Sequence, residues 1–133
     1  MDTHTSKGER SLPDTQACLK RVRAWRWPEG IACPRCTSMD CIRKGTTRKE
    51  AQRYQCHDCS HVFNDLTGTV FAGHQLSVAE MFYILARHGE EQASQVSHSI
   101  DRTYKSVLQF IHDLDAQKRS ARADLPSPPR QTV

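Results

Sequence analysis

Two pairs of cysteines, spaced alike and separated by nineteen residues, constrain this 133-residue chain more than any other feature. The pairs are Cys33–Cys36 and Cys56–Cys59, with two residues inside each pair. Two intervening residues allow one tight turn to present both thiolates on the same side, and two facing turns then supply four sulfur ligands. Four soft ligands at tetrahedral corners suit a Zn²⁺ ion, and they leave no corner for water. The spacing therefore predicts one structural zinc ion bound by Cys33, Cys36, Cys56 and Cys59.

Other uses of cysteine fit the sequence less well. Disulfides need an oxidising compartment, and the N-terminal segment lacks the apolar run of a signal peptide. A redox Cys-x-x-Cys motif is expected once, near a βαβ pattern that this chain does not show. Cys18 lies in a predicted helix and is expected to be buried or half-buried. Cys41 follows Cys36 by five residues and is a weak alternative zinc ligand, because the paired cysteines already fill the four coordination positions. His57 and His61 are predicted to lie on the surface beside the metal.

Charge is distributed unevenly along a chain whose net charge is +4. Residues 16–60 contain ten Lys and Arg against four Asp and Glu, a local charge of +6, and residues 61–100 contain one against four, a local charge of −3. A basic surface of this kind suits a phosphate-bearing partner, and a solvated face is the alternative. The hydrophobic fraction of 37% is low, so we expect a small core that depends on the zinc for folding energy.

The pattern of apolar residues predicts a small α+β protein. An N-terminal helix is expected within residues 12–29, and residues 30–72 are expected to form antiparallel hairpins around the zinc, with Phe63 covering its apolar side. One of the two tryptophans, Trp25 or Trp27, is expected to pack on this ribbon. Two terminal segments are predicted to be disordered because they are polar or rich in proline: 1–11 and 120–133.

Five basic residues decorate the predicted hairpin between the cysteine pairs. They are Arg43, Lys44, Arg48, Lys49 and Arg53. A basic hairpin can lie along the phosphate backbone of DNA, and the alternative is that these side chains only protect an exposed strand edge.

Residues 73–119 are predicted to contain three helices arranged as a helix-turn-helix. Ser77 and Glu80 form a capping box at the start of the first helix, and Asp101 is the predicted N-cap of the third, which spans 102–119. The predicted apolar stripe of this third helix is Tyr104, Val107, Leu108, Ile111 and Leu114. In a major groove, its outward residues would contact bases or phosphates: Arg102, Thr103, Lys105, Ser106 and Gln109. An ordinary three-helix unit without a DNA role is the alternative.

Three motifs follow one another along the chain: RWPEGIACPRC at 26–36, YQCHDC at 54–59 followed by Phe63, and TGTVF at 67–71. This string resembles the N-terminal region of zinc-ribbon-bearing insertion-sequence transposases. In that family an RNase H-like catalytic domain follows the ribbon and a helical DNA-binding part. The resemblance covers about residues 12–119 and implies that the four paired cysteines hold zinc and that the module recognises transposon-end DNA.

The chain departs from the family pattern at Thr37, where glycine is usual, and after Arg119, where the catalytic domain would begin. Two-metal strand transfer needs carboxylates gathered from distant strands, and Asp124 is the only acid after Arg119. We therefore expect a zinc-dependent protein, derived from or part of a transposase, that binds double-stranded DNA at transposon ends or as a regulator and catalyses no reaction of its own. It is expected in the cytoplasm at the nucleoid and away from membranes. One alternative is an adaptor that binds proteins, which the −3 segment favours, and another is the non-catalytic subunit of a split transposase with a separate catalytic partner.

Overall fold

A computed structural model describes residues 12–120 and 124–129, in which four helices surround and follow one three-stranded sheet. The helices are α1 (Thr15–Arg26), α2 (Val78–Arg87), α3 (Ala93–Ser99) and α4 (Tyr104–Lys118). The strands are β1 (Cys41–Thr46), β2 (Gln52–Cys56) and β3 (Val62–Asn64). The predicted α+β class, with a helix before an antiparallel sheet and helices after it, is confirmed. The predicted disorder of residues 1–11 lies outside the described residues.

Helix α1 begins and ends where the local sequence requires. The Asp14 carboxylate accepts a hydrogen bond from the backbone N–H of Ala17 at 2.9 Å, which caps the first turn. The buried residues of the helix are Cys18, Leu19 and Val22, and this stripe packs towards α2. The predicted burial of Cys18 is confirmed, and desolvation by that burial, followed by the negative charge of Asp14, raises the pKa of its thiol to about 12.

The sheet is antiparallel, in the order β1-β2-β3. Cys41 pairs with Cys56, and Tyr54 pairs with Phe63, so these four residues lie on one face. The register of β1 against β2 shifts after Arg43, which marks an irregularity before the hairpin turn. The sheet thus has one face turned to the cysteines and aromatic rings, and an opposite face open to solvent.

The hydrophobic core is divided into two clusters. One surrounds the paired cysteines, and the other joins α1, α2 and α4 with the segment that precedes α2. In the second cluster the ring of Phe71 stacks on Phe82 at 5.2 Å and lies 6.0 Å from Phe110. The predicted division of the chain into an N-terminal helix, a ribbon and a helical unit, with boundaries at residues 29–30 and 72–73, remains a prediction. Helix α1 does not pack as a separate unit, because it shares this core with α2.

The helical unit follows the predicted order, with two differences in α4. The capping box of α2 is present, since Ser77 N–H donates to Glu80 Oε1 at 2.8 Å and Glu80 N–H donates to Ser77 Oγ at 3.1 Å. Asp101 does not cap α4: it has a left-handed φ of 58°, and Thr103 Oγ1 accepts from Ser106 N–H at 3.2 Å instead. The predicted cap was wrong because α4 begins at Tyr104, two residues later than expected.

The buried stripe of α4 is also shifted from the predicted one. Val107, Phe110 and Leu114 are buried, whereas Tyr104 is 52% exposed. Phe110 was missed because its ring is buried by contacts with Phe71 and His74, which lie far away in the sequence. Helices α3 and α4 contact each other, and their role as a DNA-binding helix-turn-helix stays a prediction.

Part of the segment predicted to be a disordered tail lies against the helices. Within residues 124–129, Asp124 accepts a hydrogen bond from Trp25 Nε1 at 2.9 Å, and Leu125 packs on the larger core cluster. One apolar side chain and a tryptophan partner are enough to hold this short stretch. Within the part of the chain that the structure describes, none of the helices is both long and apolar enough to cross a lipid bilayer.

Candidate metal centre and basic surface

The sulfur atoms of Cys33, Cys36, Cys56 and Cys59 all lie within 4.8 Å of one another. The Sγ atoms of Cys33 and Cys59 are 3.6 Å apart, and those of Cys36 and Cys56 are 3.5 Å apart. A tetrahedral zinc ion with Zn–S bonds of about 2.3 Å requires sulfur atoms roughly 3.8 Å apart. A disulfide would hold its two sulfur atoms about 2.05 Å apart, so these cysteines are not joined by disulfide bonds. The arrangement fits one zinc ion with a closed shell.

The two cysteine turns, called knuckles here, have the same backbone design. In the first, Thr37 N–H donates to Cys33 O at 2.9 Å, and in the second, Ser60 N–H donates to Cys56 O at 2.9 Å. Thr37 and Ser60 both adopt left-handed backbones, with φ of 66° and 65°. A left-handed residue at this point explains why glycine is favoured after a knuckle, and why Thr37 carries a local strain of order 1 kcal/mol.

Backbone amides prepare one of the thiols for metal binding. The N–H groups of Cys59 and then Asp58 lower the pKa of Cys56 to about 6, against the opposing effect of burial. Cys41 lies outside the group of four, and its thiol donates to the carbonyl of Ser38 at 3.6 Å. Burial, and then the negative charge of Cys56, raises the pKa of Cys41 to about 11. The positions of the sulfur atoms favour metal binding by the paired cysteines and not by Cys41, since the group of four within 4.8 Å does not include it.

Aromatic side chains form a wall on one side of the sulfurs. Trp27 meets Tyr54 edge-on at 5.7 Å and Phe63 at 6.0 Å, and the three rings pack with the buried cysteines. The expected contact of a tryptophan with the ribbon is confirmed for Trp27, and Trp25 contacts Phe71 instead. Phe63 covers the apolar side of the site as predicted. The wall packs against the buried Cys33 and Cys56, whereas Cys36 is exposed.

Comparison with known proteins agrees with this geometry. Residues 13–62 match the family model described as a transposase zinc-ribbon domain. Residues 13–62 are therefore similar to transposase zinc ribbons. A protein of Halobacterium salinarum, described as an uncharacterized protein in transposable element ISH50, is 36% identical over 99 residues, which cover 70% of this chain and 33% of that relative. The chain thus spans about a third of the length of the curated relative it matches. No solved structure matches the chain.

A buried carboxylate fastens the three-stranded sheet and its cysteine turns to α1. Asp65 is fully buried and accepts hydrogen bonds from Arg23 Nε at 3.1 Å, from Tyr54 Oη at 2.7 Å and from the N–H of Gln52 at 2.8 Å. Arg26 extends the link by donating to the carbonyls of residues 64, 65 and 67. Sequence reasoning counted both arginines as surface charge. Only the fold shows that they hold the ribbon together, because their partners lie about forty residues away.

Four of the five predicted hairpin cations are available on the surface of the ribbon. Arg43, Lys44, Arg48 and Arg53 are exposed, and none has an ion-pair partner among the described residues. Lys49 differs, because its ammonium group is half-buried and donates to the carbonyl of His74. Burial is the main reason that its pKa is lowered. The hairpin therefore carries four exposed basic residues, with Arg43 and Arg53 on opposite faces of the sheet.

The predicted contacts on α4 divide into engaged and available residues. Arg102 Nε donates to both carboxylate oxygens of Glu80, at 3.1 and 2.9 Å, and Thr103 caps the helix. Lys105 and Gln109 are exposed, and Gln109 donates to the carboxylate of Asp113 at 3.2 Å. His112 is also exposed on this side of α4 and was not among the predicted contacts. Its helical spacing from Lys105 and Gln109 could have revealed it.

The acidic segment 61–100 is less negative at its surface than its sequence indicates. Two of its four acids, Asp65 and Glu80, are buried and paired with Arg23 and Arg102. The −3 charge was the main argument against DNA contact by this region. Internal pairing removes about half of the exposed negative charge on which that argument depended.

Proposed function

We propose that this chain binds double-stranded DNA, such as the end of an insertion element, through a zinc-stabilised ribbon with a basic hairpin. The supporting observation is the set of four exposed basic residues on a hairpin whose ribbon resembles those of transposases. A duplex attracts such residues because neutralising phosphates releases condensed counterions. The exposed part of α4 near Lys105 and Gln109 is proposed as the second contact, in a major groove.

Zinc is proposed to hold the ribbon in shape. One ion bound by the four paired cysteines would supply folding energy that the small cluster around Tyr54 and Phe63 cannot provide alone. Metal analysis of the purified chain should give one zinc per molecule. Cys36→Ser should lower that ratio and loosen the ribbon, while Cys41→Ser should keep it. Loss of zinc from the second variant, or full zinc content in the first, would contradict this ligand set.

The DNA contact of the hairpin can be tested by removing two of its charges. The Arg43→Ala, Arg53→Ala double variant should weaken all duplexes alike and flatten the slope of log affinity against log salt by about two. Lys118→Ala with Arg119→Ala is the matched control, because it removes two exposed charges from the far end of α4. Equal effects of the two double variants would indicate a diffuse charge effect and contradict a hairpin contact.

Base reading by α4 is best tested where no buried ion pair is lost. Arg102→Ala would leave Glu80 without its buried ion pair, so its effect on DNA would be mixed with instability. Lys105→Ala and Gln109→Ala avoid that difficulty. Each should cost about 1–3 kcal/mol on the preferred sequence and little on random DNA. A uniform loss on all sequences would mean that α4 contacts only phosphates.

We further propose that this part of the protein binds DNA without cutting it. Of the residues that the structure describes, the four paired cysteines are the one group placed to hold a metal ion, and closed tetrahedral zinc has no position for a substrate. The catalytic carboxylates of a transposition reaction would then come from a different domain or from a partner subunit. Reproducible nicking or joining of DNA by the purified chain with Mg²⁺ or Mn²⁺ would contradict this.

A contact with another protein is the second candidate function, and one observation favours it. Ile42 and Val62 flank Gln55 in one row of the sheet and are 43% and 45% exposed. Apolar side chains on an open sheet face suit a protein surface. If Ile42→Ser and Val62→Ser abolish binding to a catalytic transposase subunit while the hairpin variants leave DNA binding unchanged, the adaptor function replaces the DNA-binding one.

A further inference from the structure

We propose that a cleft at the junction of the ribbon and the helical unit binds one phosphate diester of the DNA backbone. This inference rests on the proposed DNA-binding function and adds a specific site to it. The cleft has a volume of about 400 Å³ and is bordered by three segments: the β1–β2 turn at 47–49, residues 64 and 66–68 at the end of β3 and just after it, and residues 71–74 before α2. It was not visible in the sequence, because these segments meet only in the folded chain.

The side chains that border the cleft carry positive charge and no negative charge. Arg48 is exposed at its edge, and Lys49 reaches across it to the carbonyl of His74. An ammonium group has three donors, so two hydrogens of Lys49 remain for another acceptor. The carboxylate that acts most strongly on Lys49 is Glu80, and Arg102 already occupies both of its oxygens.

The electrostatics of Lys49 support an anion in this place. Burial lowers its pKa, and the positive charge of Arg102 adds to that effect, while Glu80 only partly opposes it. The cation is therefore incompletely compensated by its own protein. A bound phosphate would supply the missing negative charge, and charge-assisted hydrogen bonds to phosphate are stronger than neutral ones.

Three residues that border the cleft also have backbone N–H groups that are available as donors. The N–H groups of Gly68, Gly73 and His74 have no hydrogen-bond acceptor among the described residues, and both glycines have left-handed backbones with φ of 78° and 80°. Turns with left-handed residues form concave groups of N–H donors that bind anions. Thr67 Oγ1 accepts from Asn64 N–H at 2.9 Å, and its own hydrogen has no acceptor in the described structure.

The location of the cleft favours DNA over a free anion. Arg48 belongs to the same hairpin as Arg43 and Lys44, and Lys49 lies close enough to Arg102 to respond to its charge. A phosphate held here would be shared between the hairpin and the start of α4, the two parts proposed to contact the duplex. Phosphate contacts of this kind set the register of a protein on DNA without reading its sequence.

The decisive experiment places a carboxylate at the cleft. Ala72 is exposed and borders it. Ala72→Glu should weaken binding to random duplex DNA roughly tenfold, because charge-assisted contacts to one phosphate are lost. The salt slope should fall by about one. Ala72→Gln, of matched size, should stay within about twofold of the unchanged chain, and Ala24→Glu, with the same charge change on the exposed side of α1, should weaken binding less than threefold.

The outcomes separate this inference from the proposed function. If the unchanged chain binds no duplex, both are overturned. If it binds, but Ala72→Glu behaves like Ala72→Gln or like Ala24→Glu, the cleft is overturned and DNA binding stands. Zinc content and amide spectra check that each variant is folded.

Amide chemical shifts give a second measurement that needs no variant. Adding a short duplex should shift the amide signals of Gly68, Gly73 and His74, and inorganic phosphate should shift them only weakly. Shifts confined to other residues with DNA would overturn the cleft. Saturation by millimolar inorganic phosphate, with no response to the duplex, would show that the cleft serves a free anion and would overturn the assignment to DNA.

Discussion

Asp65 is predicted to be the most important single residue for the stability of the ribbon after the cysteines. Its carboxylate is completely buried, and three groups donate to it: the guanidinium of Arg23, the hydroxyl of Tyr54 and the backbone N–H of Gln52. Asp65→Asn keeps the size of the side chain but removes the charge. It also turns an N–H₂ group towards donors, so at least one buried donor loses its acceptor.

The expected loss follows from these contacts. Removing one partner of a buried ion pair costs about 3–5 kcal/mol. Arg23 is 29% exposed and can be partly hydrated after the change, so we expect the lower end, about 3 kcal/mol. This is a large fraction of the total stability of a small domain, which is on the order of 5–15 kcal/mol.

The measurement is urea unfolding of the zinc-loaded chain, followed by tryptophan fluorescence. Asp113→Asn is the matched control, because its carboxylate is partly exposed and it should cost less than about 1 kcal/mol. Zinc content should stay at one per chain in both variants, since neither residue is a ligand. A loss below about 1 kcal/mol for Asp65→Asn, or one equal to that of the control, would refute the argument that this network fastens the ribbon to α1.

Two further predictions concern the cap of α4 and the response to alkaline pH. Thr103→Ala should lower the free energy of unfolding by about 1 kcal/mol in thermal or urea unfolding, because the cap of α4 is lost. Asp101→Gly should leave it unchanged or raise it slightly, because glycine adopts a left-handed backbone without strain. A larger loss for Asp101→Gly than for Thr103→Ala would mean that Asp101 is the cap. Burial, and then the hydrogen bond to Asp65, raises the pKa of Tyr54 from 10 to about 12, so its contribution is complete below about pH 10 and is lost as the pH rises through about 12. Stability measured between these values should fall less steeply in Tyr54→Phe than in the unchanged chain, and an identical slope would contradict the shift.

The motifs of the ribbon were readable from the sequence because their chemistry is local. A Cys-x₂-Cys pair closes its own turn, and the structure brings the four sulfurs of both pairs together. The capping box at Ser77 and Glu80 involves residues three apart, so it too was predicted correctly. The cap of α4 is local too, yet it was assigned to Asp101 in place of Thr103, whereas the buried position of Phe110 depends on distant rings.

The charges show the same division. The sequence alone established that a basic segment precedes an acidic one. It could not tell which charges face solvent, because Arg23 and Arg102 find their carboxylate partners only after long-range folding. Arg23 pairs with Asp65 and Arg102 pairs with Glu80, so both arginines join distant parts of the chain. These pairs neutralise two of the four acidic residues in the segment 61–100.

The sequence by itself determined the class of this protein: the spacing of its cysteines and the order of its motifs indicate a zinc ribbon of the transposase type, followed by helices. The tertiary structure alone decided how these parts share a core. It showed that α1 packs with α2, that Asp65 joins the ribbon to α1, and that a basic cleft forms at the junction. The physical reason is that ligand spacing and helix caps act over a few residues, while burial and ion pairing depend on residues that only the completed fold brings together.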